Sequence, residues 1–139
     1  MSDPRTEAGR QVVREMLGED FLHGLEAHIA DGTFGSEAGR LALGSAFGDI
    51  WARPGLDRKS RSMITMAVLI TLRVPHELKN HVRAALANGC TVAEIEEVIM
   101  QTIPYVGFPA VAVALSAAAE VLKEKGLLET PVTAKDRGL

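Results

Sequence analysis

The sequence has a single cysteine, Cys90, which rules out an intrachain disulfide, a CxxC redox pair and a cysteine-built zinc cage. It has no surplus of positive charge: 15 Lys and Arg face 18 Asp and Glu, for a formal net charge of −3, and the basic residues are scattered. Nucleic acid and anionic membrane are therefore poor expectations for partners. No apolar run is long enough to span a bilayer, and MSDPRTEAGR at the start lacks the apolar stretch of a secretory leader, so a cytoplasmic location is expected. Glycine-rich phosphate loops and the GxSxG nucleophile elbow are also missing.

What is present is apolar and helical in its spacing. The chain is 139 residues long, 47% hydrophobic and 24% charged, enough for one domain with a real core, expected to be ordered over about residues 6–128 with a loose tail at 129–139. Val12, Val13, Met16 and Leu17 recur at helical spacing after Thr6, and Phe21, Leu22, Leu25 and Ile29 follow Asp20 as a cap, with Gly18 and Gly32 as stops. Ser36 opens a third helix through Trp51, before the Pro54-Gly55 turn. Asp57 caps a fourth whose run Met63, Ile64, Ala67, Val68, Ile70 and Thr71 predicts a central helix buried on more than one side. Pro75 starts a fifth that stops near Asn88-Gly89, and Thr91 with Glu94 reads as a capping box for a sixth. Pro104, Gly107 and Pro109 predict a break before a last helix ending near Gly126. The expected fold class is an all-α, single-domain helical bundle.

Residues 110–121 are almost wholly Ala and Val, with no charge before Glu120. A helix apolar on every side has to be covered, and in so short a chain another subunit covers it more readily than the chain itself. A homo-oligomer is expected, with a monomer core helix as the competing account.

Few residues suggest chemistry. Glu77 and His81 lie four apart, on one face of the fifth helix and beside the Leu78/Val82/Ala85 stripe. A carboxylate one turn from an imidazole can fix its tautomer and raise its pKa, as in a general acid/base, although the spacing alone fits an ordinary surface contact better. His76 is expected to face solvent, and His23 and His28, five apart, do not stack as a metal pair, so no metal is assigned. Cys90 reads as a small buried loop residue rather than a nucleophile. Arg53, Arg58, Arg61 and Arg83 are each able to hold a carboxylate through paired N–H donors or simply to form surface ion pairs. Trp51 and Phe47 fit a core or a pocket wall, and Tyr105 fits the edge of a cleft.

Four motifs in order add a further signal: WxRPGL from Trp51, RSxxTxAxLI from Arg61, HxRAAxxNG from His81 and YxGxPA from Tyr105. The run FGDIWARPGLDRKSRSMITMAVLI, then HELKNHVRAALANGCTVAEIEEVIMQTIPYVGFPA, with REMLGEDF near the start, resembles the carboxymuconolactone decarboxylase family. The resemblance implies an all-α fold assembled into trimers or hexamers. The same superfamily includes peroxidase-type members with CxxC three residues before a histidine. Counting back from His81, those two positions hold Val74 and Glu77, so dithiol peroxide reduction is excluded.

The resemblance further implies a cofactor-independent carboxy-lyase acting on an unsaturated lactone carboxylate from aromatic catabolism. In the reference reaction CO2 leaves, the electron pair spreads onto the lactone carbonyl as a dienolate, and a proton is delivered to the carbon beside that carbonyl. On this reading His81 is the proton donor and Glu77 its orienting or relay partner. Arg53 and Arg61 hold a carboxylate or the oxyanion, and Trp51 and Tyr105 contact substrate. The chain departs from the decarboxylase pattern at Ser45 (His or Tyr there), Phe47 (Trp), Val106 (Cys) and Ala112 (Asn). These changes remove polar groups and favour a less polar substrate as the alternative, with proton transfer, isomerisation or ring chemistry on the same scaffold. A non-catalytic oligomeric binding protein is the remaining alternative.

Overall fold

A computed structural model describes residues 3–128, so the expected tail at 129–139 lies outside the described residues. All regular structure among them is helical. The elements are α1 (Pro4–Leu17), α2 (Glu19–Asp31), α3 (Ser36–Leu41) running into a π-helical stretch (Ala42–Trp51), α4 (Arg58–Leu72), α5 (Pro75–Ala87), α6 (Val92–Val106) and α7 (Phe108–Glu124). None is long and apolar enough to cross a membrane. Contacts group the chain into two compact units: residues up to Ser62 with Arg83–Gly89, and Met63–Val82 with residues from Cys90 onward.

In the first unit, α1 begins earlier than its apolar spacing suggests. Asp3 accepts the N–H of Arg5 at 3.0 Å and Pro4 takes the first turn, where a missing N–H costs nothing. Gly18 ends α1 and directly precedes α2, so Asp20 lies inside the helix, and Gly35 rather than Ser36 flanks α3. The core here is two clusters, Val12/Met16/Ala84 and Val13/Leu22/Leu43, with Leu17 and Phe47 packed on both. Complete burial of Val12 and Val13 contributes on the order of 1.5–3 kcal/mol each. Asn88 Nδ2 donates to the hydroxyl of fully buried Ser62 at 2.9 Å, so that polar group is satisfied.

The third helix is the largest departure from expectation. Its ten residues from Ala42 to Trp51 are wound as a π-helix, and the Ala52 N–H donates five residues back to Phe47 O at 3.1 Å. A close backbone contact lies beside it. A Cβ on Gly9 of α1 would sit 1.9 Å from Leu43 O, and one on Gly48 would sit 2.1 Å from Arg5 O. The two backbones touch at a pair of glycines, which no period of apolar residues announces.

In the second unit Met66 and Ile70 of α4 are buried, whereas Ile64, Val68 and Leu72, one row four residues apart, are exposed. Within the chain α4 is thus apolar but not enclosed. Asp57 accepts from Ser60 N–H at 3.0 Å and from its hydroxyl at 2.7 Å, the expected cap. Thr91 and Glu94 form the reciprocal capping box. Pro104 does not break α6: the helix runs through it to Val106, and the corner is made by Gly107 at φ 85°. Ile95 and Ile99 of α6 and the row Ala110, Ala114, Ala117, Ala118, Val121 of α7 are buried. The opposite side of α7 stays open, with Val113 and Leu115 exposed.

Candidate active site around His81

Leu78 and Val82 on α5 are buried, and His81 beside them is half-buried. Its ring is thereby held in a poorly solvated place, with the Nδ1 atom out of contact with water. Glu77, one turn earlier, is exposed. Burial pushes the His81 imidazole below its ordinary value, because the charged form loses hydration. The negative charge of Glu77 pulls the other way and is outweighed. The Glu77/His81 spacing predicts a carboxylate that raises the histidine's pKa. Glu77 does raise it, and desolvation, of which helical spacing carries no measure, outweighs that effect.

A consequence follows for stability. Above about pH 6.5 a histidine is neutral folded and unfolded alike, and full stability is present. Below it the unfolded chain binds the proton first, so stability falls until the pH passes the depressed folded-state value. Urea midpoints measured from pH 8 to pH 5 should therefore drop more in the wild type than in His81→Gln. Parallel curves would contradict the burial of a neutral imidazole.

The other expected site residues have varied surroundings. Arg61 donates from Nε to Leu56 O and from Nη2 to Arg53 O, both at 3.1 Å, so its guanidinium holds the WARPGL loop together in the first unit. Arg53 is exposed in that loop. Trp51 is half-buried against the Val12/Met16/Ala84 cluster, the core alternative for it. Tyr105 is 80% exposed at the end of α6. Arg58 pairs with Glu15. His23 and His76 are exposed, and Cys90 is buried. Among the described residues no three His, Cys, Asp or Glu side chains gather as metal ligands do.

The second unit also carries a groove of about 540 Å³ between α4 and α6, walled by Met63, Ile64, Ala67 and Val98 with Glu97 and Gln101 at its edge. His81 is not among its lining residues. The helical apolar spacing of α6, Ile95, Val98, Ile99 and Thr102, gave no sequence signal for it.

The model of the carboxymuconolactone decarboxylase family matches residues 36–120, more than half of the chain, including α5 with His81 and Glu77. The chain belongs to that family. It is 36% identical over 125 residues to a 4-carboxymuconolactone decarboxylase of Acinetobacter baylyi, covering 90% of this chain and 92% of that one. It is also 35% identical over 102 residues to a nitrosuccinic acid decarboxylase of Metarhizium robertsii, covering 73% and 69%. As a family member with Val74 and Glu77 before His81, it has no thiol at either position.

Proposed function

We propose that this protein is a carboxy-lyase acting on a small carboxylate whose loss of CO2 leaves an electron pair that a neighbouring acceptor takes up, with 4-carboxymuconolactone the first substrate to test. The observation that carries the reading is His81, half-buried and held neutral, one turn from a carboxylate. Both related decarboxylases act on acids of this kind by name. Loss of CO2 from the lactone leaves a dienolate, and loss of CO2 from nitrosuccinic acid leaves a nitronate. In either case the C–C bond breaks, its electron pair moves onto oxygen, and one proton is then needed at carbon.

His81 is the proposed donor of that proton. Burial keeps it neutral in the free enzyme, and the negative charges of a bound dianion favour the imidazolium, so it takes up a proton as substrate arrives. Glu77 orients the ring and favours the same charged form. Reprotonation from solvent closes the cycle. Guanidinium chemistry alone supports Arg53 and Arg61 as carboxylate or oxyanion binders, and Trp51 and Tyr105 as substrate contacts rest on their motifs.

CO2 release from 4-carboxymuconolactone by the purified protein tests the reading. Release well above the uncatalysed rate is expected, and no release would remove this substrate and favour the less polar class that Ser45, Val106 and Ala112 suggest.

The protein is further proposed to be a homo-oligomer, trimeric or hexameric. The support is the open apolar side of α7 at Val113 and Leu115, the exposed row Ile64, Val68 and Leu72, and exposed Phe108. Sedimentation equilibrium should give a multiple of the chain mass. A monomer at micromolar concentration would refute it.

A further inference from the structure

Among the described residues other than glycine, only Arg73 has a positive φ, at 56°. It ends α4 immediately before the helix of Glu77 and His81. The turn is a Schellman closure: Arg73 N–H donates to Ile70 O at 3.1 Å and Val74 N–H to Leu69 O at 3.3 Å. The closure places Arg73 at the left-handed residue, where glycine is the usual occupant and a Cβ is penalised. Neither backbone bond uses the arginine side chain. That side chain is exposed, and no hydrogen bond or ion pair ties it down among the described residues. A strained position filled by a charged residue points to a use for the charge.

We propose that Arg73 is a substrate-positioning residue, whose guanidinium holds a carboxylate of the anion that reacts at His81. The inference rests on the carboxy-lyase reading. The reacting carboxylate leaves as CO2, so Arg73 is assigned the carboxylate that the substrate retains, through paired N–H donors. Such a contact is the same in ground state and transition state, and it acts on KM rather than on kcat.

Three variants test this. Arg73→Gly relieves the backbone strain and should raise the Tm by roughly 3 °C while raising KM for the lactone dicarboxylate roughly 10-fold, with kcat nearly unchanged. Arg73→Gln should raise KM similarly without the gain in Tm, and Arg73→Lys should restore most of the lost KM. A residue of merely structural importance cannot yield a more stable protein with weaker binding, so an unchanged KM in the glycine variant overturns the proposal. Succinate binding, followed by the His81 ring resonances, separates this inference from the reading beneath it. Binding that weakens in Arg73→Gly, in a protein that releases no CO2 from the lactone, would remove that substrate and keep Arg73 as a carboxylate contact. CO2 release whose KM is indifferent to Arg73 would keep the carboxy-lyase reading and overturn the role of Arg73, and absence of both release and succinate binding in the wild type would overturn both.

Discussion

Gly9→Ala and Gly48→Ala should each destabilise the protein by about 3 kcal/mol or more, in urea titrations followed by helical circular dichroism. Alanine is ordinarily the better residue inside a helix, by about 1 kcal/mol over glycine. Here the added methyl would lie 1.9 Å from Leu43 O at position 9, and 2.1 Å from Arg5 O at position 48. Both obstacles are backbone atoms, which cannot swing aside as a side-chain end can. The helices must separate, and Val12, Val13 and Leu43 lose packing with them. The two substitutions damage one contact, so the double variant should lose less than the sum of the singles. Gly24→Ala in α2 is the control: its Cβ meets nothing within 4 Å, so a gain of about 0.5–1 kcal/mol is expected. Equal, small effects at positions 9 and 48 would show that α1 and the π-helical stretch do not meet through their backbones.

His81→Gln should lower kcat on 4-carboxymuconolactone by about 10²–10⁴-fold, the usual contribution of a positioned proton-transfer group. Glutamine keeps the size and a hydrogen-bonding end but cannot deliver a proton to carbon, so KM should change much less. The pH profile gives the sign. If the imidazolium is the donor, kcat/KM falls as pH rises through the depressed value of the free enzyme, below about 6.5. The limb in kcat lies at higher pH, since the bound dianion favours the charged ring. Because Glu77 opposes the depression, Glu77→Gln should move the kcat/KM limb to still lower pH. Activity that rises with pH through this limb would make His81 a base, and activity indifferent to His81→Gln would leave it without a role in the reaction.

The sequence by itself determined the helices whose ends carry local chemistry. The Asp57 cap, the Thr91/Glu94 box, Pro75 at the start of α5 and the stops at Gly18 and Gly32 depend on residues within a few positions of one another, and side-chain identity is sufficient to place them. It also determined the family, through four motifs in order, and the pairing of Glu77 with His81 on one helical face. Tertiary structure decided the rest. The π-helical winding of residues 42–51 and the backbone contact of Gly9 with Gly48 involve positions far apart in the chain and are invisible to any local period. The continuation of α6 through Pro104 and the open faces of α4 and α7 are visible only in the fold, since turn residues and apolar spacing predict a break and an enclosed helix there. The net direction at His81 was decided in the same way: charge spacing along a helix is written in the sequence, whereas desolvation is set by atoms from elsewhere in the fold.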